Sequence, residues 1–304
     1  MMRILGTIFA GLFGLAFGSF LNVCLSRWPE GESIVQPASH CRNCSHTLSW
    51  WENIPLFSWI ALRGCCRECR TWIGWRYPLV EAAVGLLWAY TAWQSSPLMA
   101  AQGIPPVLRA ATAIEGLGGM AFYWILLALL VLDAENLWLP DFLTLPSIAI
   151  GLFCAFLDPF LLEKFNSLTG LPFTAGMEGL RFGLWSPGLL RLLEVLAAAG
   201  LILLIRWTYK KIRKREGLGL GDAKLMALLA AWLGLPLTMV AFVIAVLLGS
   251  VAALLLLLRP ALQREGETWA MSKLPLGTFL CIGGIVSSLC GQPILNAYMR
   301  WAGF

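Results

Sequence analysis

Apolar residues gather into eight runs, at about residues 4–25, 79–97, 117–132, 142–157, 188–206, 222–234, 237–258 and 275–296, separated by shorter polar or turn-rich segments. A helix needs about 20 apolar residues to cross a hydrocarbon core, so the pattern predicts an all-α polytopic membrane protein with about eight transmembrane helices. The first run has no small-x-small cleavage site and is expected to stay as a helix. The sixth, ending at Gly234, is shorter than a straight crossing requires and is expected to be partly enclosed by protein. Residues 158–187 mix Pro, Gly and Asn with scattered apolar positions, which predicts an irregular loop or a short surface helix.

Composition agrees. The chain is 59% apolar and 13% charged, where a soluble domain carries roughly 25% charged residues. The net charge of +5 matters less than its distribution: 16 of the 22 Lys and Arg fall in segments 27–78, 206–224 and 259–274. The positive-inside rule therefore puts these segments in the cytoplasm and both chain ends outside, which an even number of spans also requires. The basic run Lys210 to Arg215 reads as an orientation and lipid-headgroup anchor, with substrate contact as the alternative. Nucleic-acid binding is not indicated.

Nine cysteines would suggest disulfides were they dispersed, but Cys41, Cys44, Cys65, Cys66 and Cys69 share one polar loop. CRNC at 41–44 and CREC at 66–69 form two C-x2-C knuckles, a spacing typical of four-thiolate zinc sites. Four thiolates close the shell and leave no position for a catalytic water, so the expected zinc is structural. Cys65 adjoins Cys66, but only Cys66 stands at C-x2-C spacing from Cys69. His40 and His46 flank the first knuckle and are expected to be solvated.

Aspartate occurs four times, at 133, 141, 158 and 222. Asp133 and Asp222 fall where an apolar run meets the basic side, and ionisable residues in such places are costly unless solvated, paired or functional. If their helices pack together, the two carboxylates can share a proton, one acting as general base on water and the other as general acid. The alternative is that Asp222 only caps its helix. Asp141, after Pro140, is expected to cap the fourth span. The glycines of GLGLG at 217–221 permit a tight turn and close approach of a substrate strand. No nucleophile elbow, phosphate loop or H-E-x-x-H motif is present.

Several ordered segments resemble the bacterial type IV prepilin peptidases, members of the GxGD aspartyl proteases. They are GSFLNVCLSRWP at 18–29, the four-cysteine loop, WENIPLFSWIALRG at 51–64, RYPLVE at 76–81, LDAENLWLPDFLTLP at 132–146, GLGLGDAKLMALLAAWLG at 217–234 and PLGTFL at 275–280. The resemblance implies an inner-membrane enzyme that cleaves the basic leader of prepilins and pseudopilins after glycine at the cytoplasmic face. It then methylates the new N-terminus with S-adenosylmethionine. The catalytic pair it implies is Asp133 and Asp222, with Asp141, Gly219, Gly221 and Lys224 in support. Residues 1–97 would form the methyltransferase-associated region, with Gly18, Asn22, Arg27, Gly64 and Glu81 as donor-binding candidates. Glu81 could also accept the amine's proton or pair with Arg76. Residues 117–296 would form the peptidase domain, followed by a tail at 297–304. The long connection between Asp133 and Asp222, and the fifth loop thiol Cys65, depart from the family pattern. Cleavage without methylation, a catalytically silent zinc-knuckled scaffold of a pilus or secretion machine, and a proton-relaying transporter are the competing readings. The transporter fits least, since its carboxylates belong at mid-bilayer.

Overall fold

The computed structural model describes residues 2–100, 106–169, 187–214, 219–258 and 275–303. Among these, secondary structure is helical apart from two isolated bridges in the cysteine loop. The helices are α1 (Met2–Arg27), the short α2 (Phe57–Ala61), α3 (Arg76–Ala100), α4 (Pro106–Asn136), α5 (Asp141–Thr169), α6 (Pro187–Arg213), α7 (Leu220–Leu233), α8 (Leu235–Leu257) and α9 (Leu276–Trp301). Every apolar run of the sequence coincides with one of the eight longer helices. Among the described residues five stretches are long and apolar enough to cross a membrane, Arg3–Glu30, Thr112–Asn136, Gly188–Arg213, Leu235–Leu256 and Leu276–Trp301, and Asp141–Phe156 is a shorter apolar helix.

Helix ends depart from the hydropathy boundaries. α4 begins at Pro106, α6 continues to Arg213, and α5 runs on to Thr169. The first part of stretch 158–187, expected to be an irregular loop or a short surface helix, is thus helical as a continuation of α5, and 170–186 lies outside the described residues. So do segment 259–274, expected from its charge to be cytoplasmic, and Gly217. Hydropathy registers only the apolar length of a helix, whereas backbone hydrogen bonding continues it into polar residues. Lys210, Lys211 and Arg213 accordingly occupy the last turn of α6, where cations meet the negative end of the helix dipole.

The chain divides into two compact units, Met1–Ala128 and Leu129–Phe304, with the boundary inside α4. In the first, α1 and α3 pack along a seam of small residues. A Cβ on Gly14 would stand 3.0 Å from the Gly85 Cα, and one on Gly18 would stand 2.7 Å from the Glu81 Cα. Small residues let backbones approach where burial from water supplies no drive, as between membrane helices. Trp124 Nε1 donates to Phe17 O at 3.2 Å and Trp88 Nε1 to Met120 O at 2.9 Å, joining the middle of α4 to this pair.

In the second unit α7 is the inner element, touching α5, α6, α8 and α9. Its 14 residues include nine that are buried, among them Leu225, Met226, Leu228 and Leu229. That accounts for a helix too short to span lipid by itself: it is lined by protein rather than by acyl chains. Gly234, at φ +79°, turns the chain directly into α8. Helix α9 lies against α8 so closely that a Cβ on Gly283 would meet the Ala241 carbonyl oxygen, and Ser287 Oγ donates to Leu237 O at 2.6 Å.

Candidate active site and metal centre

Asp133 lies in the final turn of α4 and is 6% exposed. Its Oδ2 accepts from the Thr278 N–H at 2.6 Å and from Thr278 Oγ1 at 3.1 Å. Thr278 is the third residue of α9, whose first N–H groups have no partner within their own helix. A carboxylate brought from α4 therefore caps α9, and the positive end of that helix favours its charge. Asp222, 9% exposed, is the third residue of α7. Its Oδ2 accepts from the Gly219 N–H at 3.1 Å, the backward half of a capping arrangement. Capping and chemistry are compatible here, because only one of its two oxygens is committed.

The two carboxylates interact electrostatically, and Cys281, buried one turn further along α9, feels both. Leu139 lies between the two backbones. It would be 3.0 Å from a Cβ on Gly221 and 3.1 Å from one on Gly277, and the latter Cβ would also stand 2.8 Å from Asp133 Oδ2. Neither aspartate forms an ion pair among the described residues. Among the described residues, the Asp141 side chain bonds Lys224 rather than the first turn of α5, which it was expected to cap. The pair spans the first turns of α5 and α7, at a half-exposed position. Gly219 is the N-cap of α7 with extended backbone. Residue type alone does not mark Thr278 and Gly277 as site residues, although both fall in the PLGTFL segment.

In the first unit, the thiols of Cys41, Cys44, Cys66 and Cys69 all lie within 4.8 Å of one another. Cys41 Sγ is 3.7 Å from Cys69 Sγ, and Cys44 Sγ is 3.9 Å from Cys66 Sγ. Zn–S bonds of about 2.3 Å at tetrahedral angles place sulfurs about 3.8 Å apart, so the four thiols fit zinc. The knuckles are two copies of one turn. Cys41 N–H donates to His46 O and Cys66 N–H to Thr71 O, both at 2.9 Å. Ser45 and Arg70 share a left-handed φ of 59° and 56°. In this register Cys65 bridges to Trp72 as His40 bridges to Thr47, which makes Cys66, not Cys65, the counterpart of Cys41.

Beside this loop, α1 and α3 border a cavity of about 820 Å³ whose walls include Asn22, Arg27, Glu52, Tyr77 and Glu81. That is within the range of small-molecule and cofactor sites. Asn22 Nδ2 donates to Tyr77 O at 3.0 Å, while its Oδ1 is buried without a partner. Arg27 donates to Ser33 O and Pro37 O at 2.8 and 2.7 Å, clamping the loop. Glu81 Oε2 accepts from the Leu56 N–H at 2.8 Å, and the Arg76 guanidinium lies 4.9 Å over the Tyr77 ring. Gly18 belongs to the α1–α3 seam. Gly64, at φ +70°, sits under Trp59 and Trp72, leaving no space for a side chain. His46, expected to be solvated, instead meets Glu52 Oε2 at 3.3 Å. Glu52 is 6% exposed, and no motif in the sequence marked it as part of a site.

Residues 12–95 match the bacterial peptidase A24 N-terminal domain, and residues 120–254 match the type IV leader peptidase family. The chain belongs to the type IV leader peptidase family. Its relatives include a prepilin leader peptidase/N-methyltransferase of Pseudomonas aeruginosa, 31% identical over 96% of this chain and 93% of that protein. Proteins of the same name from Burkholderia pseudomallei and Aeromonas hydrophila are 34% and 32% identical, covering 94% and 95% of this chain and 85% and 92% of theirs. No solved structure matches. Family membership and the apolar helices together make this leader peptidase homologue an inner-membrane protein.

Proposed function

We propose that this protein removes the basic leader of type IV prepilins and pseudopilins after a glycine at the cytoplasmic membrane face, and then methylates the new N-terminus with S-adenosylmethionine. The observation that carries the peptidase half is the pair Asp133 and Asp222: two buried carboxylates that interact, each anchored through one oxygen to a backbone N–H at a helix start. One takes a proton from water as the water oxygen bonds to the scissile carbonyl carbon. The other, protonated, gives its proton to the departing nitrogen. Anchoring Asp133 to Thr278 and Asp222 to Gly219 sets the direction of each free oxygen, and positioning of this kind supplies a large part of a rate enhancement. Gly221 and Gly277 have no Cβ where Leu139 and, at Gly277, the Asp133 carboxylate approach, so the backbones beside the two carboxylates can close on Leu139. The Lys224–Asp141 pair joins the two helix starts nearby and serves positioning.

For the second activity, the volume of the cavity between α1, α3 and the cysteine loop, and the polar and charged residues among its walls, suit S-adenosylmethionine. When bound, the cofactor supplies an electrophilic methyl group on a cationic sulfur. Asn22 and Glu81 would orient it, Arg27 would hold the loop over it, and Glu81 would receive the amine's proton. Zinc on Cys41, Cys44, Cys66 and Cys69 would hold the loop that forms one wall.

The test is the mass of a prepilin incubated with membranes containing this protein, with and without S-adenosylmethionine. Loss of the leader after glycine in both samples, and one added methyl only with the donor, is the expected result. Cleavage with no methyl would reduce the function to a peptidase, and an intact prepilin would leave a scaffold.

A further inference from the structure

The cysteine loop carries an aromatic surface where it joins α3. Trp59, Trp72 and Trp75 form a three-ring cluster, with centroids 4.6 Å apart for Trp59 and Trp75, 5.6 Å for Trp59 and Trp72, and 5.9 Å for Trp72 and Trp75. Trp59 Nε1 donates to Ile73 O at 3.0 Å, and Gly64 leaves the space that the Trp59 and Trp72 rings fill. The outer rings of Trp72 and Trp75 are 52% and 60% exposed, and Phe57 and Ile60, on the same short helix as Trp59, are 61% and 68% exposed. Phe57, Ile60 and Trp75 lie outside the walls of the neighbouring cavity, so they are exposed on the outer surface of the loop. Exposed apolar surface of this kind marks an interaction site.

The position of the cluster on α3 identifies the partner. Leu79 N–H donates to Trp75 O at 3.2 Å, so Trp75 begins the helical path of α3 and shares a face with Leu79 one turn on. From Arg76 to Trp93 only Leu79, Leu86 and Trp93 are exposed, a single stripe with a spacing of seven residues. α3 packs along α1, which is long and apolar enough to cross a membrane, so the stripe is the face that α3 presents to lipid. Trp75 and Trp93 stand 18 residues apart, about 27 Å at 1.5 Å per residue and close to the thickness of a hydrocarbon core. Tryptophan at both ends of a lipid-facing stripe is the pattern of the two membrane interfaces. Trp72 and α2 widen the Trp75 end, and Arg63 and Arg70 flank it, one residue before Gly64 and two before Trp72. Both arginines are exposed, and neither forms an ion pair among the described residues. Glu68 is the one acidic residue of segment 63–72, against Arg63, Arg67 and Arg70.

We propose that this surface seats the cysteine loop on an anionic bilayer, with Phe57, Ile60, Trp72 and Trp75 at the boundary between headgroups and acyl chains and Arg63 and Arg70 on lipid phosphates. Continuity with the lipid-facing stripe of α3, and the excess of arginine, select the bilayer over a soluble protein partner. Trp59 and Trp72 also border the cavity beside the loop, so the contact holds one of its walls at the membrane surface.

The experiment uses full-length, zinc-replete protein carrying 5-fluorotryptophan, in nanodiscs of phosphatidylcholine with or without phosphatidylglycerol. Fluorine NMR signals of Trp72 and Trp75, assigned through Trp72→Phe and Trp75→Phe, are compared with a spin-labelled lipid and with a water-soluble gadolinium chelate. In anionic nanodiscs the lipid label should erase both signals and the chelate should leave them, and Trp72 should be broadened less by the lipid label in phosphatidylcholine alone. The double variant Arg63→Gln with Arg70→Gln should keep its zinc and lose that dependence on lipid charge. A Trp72 signal broadened more by the chelate than by the lipid label overturns the proposal and leaves the patch in water, open to a protein partner. A Trp72 signal spared by both also overturns it, because protein then covers the ring. Equal broadening in the two lipid compositions, or a double variant that keeps the parent's charge dependence, overturns the arginine contacts.

Discussion

At Gly277 there is room for a hydrogen but not for a methyl, because a Cβ would stand 2.8 Å from the Asp133 oxygen that Thr278 holds. Gly277→Ala should push that carboxylate aside and lower kcat for prepilin cleavage by roughly a hundredfold, the cost of a displacement of about 1 Å at a reacting group. Steady-state kinetics in detergent would measure it, and an unchanged kcat would mean that Asp133 tolerates another position. Thr278→Val is milder. The backbone N–H still reaches Asp133 and only the Oγ1 contact goes, so kcat should fall about tenfold or less with KM nearly constant. The two aspartates could be read in the sequence because aspartate is scarce and these two lie at run ends. Thr278 could not, since it acts through a backbone amide far along the chain, and an amide has no signature in residue type.

Among the elements, the two cysteine knuckles make the sharpest distinction. Cys66 occupies the position of Cys41 in the repeated turn and Cys65 that of His40. Cys66→Ser should therefore abolish zinc stoichiometry measured by elemental analysis, and Cys65→Ser should preserve it. Equal zinc in both variants would contradict the register. The half-exposed Lys224–Asp141 pair predicts little: Lys224→Met should change unfolding stability by about 1 kcal/mol or less in a thermal melt. The eight apolar runs anticipated the eight longer helices because burial in lipid and burial in protein select the same residue types. They misplaced the starts of α4 and the ends of α5 and α6, where helical hydrogen bonding carries on through residues that hydropathy treats as loop.

Across the whole molecule, each of the two units has a site built from its own residues: four thiols and a cavity in the first, two carboxylates in the second. The C-x2-C spacing made the metal ligands legible before any coordinates. The cavity was only partly so, because its walls come from α1, α3 and the loop between them, and Glu52 looks like any loop glutamate until its burial is known. Likewise Gly18 and Gly64 stood out in the resembling segments, but only the packing of Glu81 and the tryptophans around them gives their physical reason for being glycine. The central claim concerns the second unit, and cleavage of a prepilin by purified Asp133→Asn and Asp222→Asn proteins, with folding checked by thermal unfolding, tests it most directly. Asparagine keeps an acceptor for the Thr278 or Gly219 N–H while removing the proton chemistry, so each folded variant is predicted to leave the leader in place. Cleavage at the parent's rate by either one would contradict the assignment of a two-aspartate mechanism.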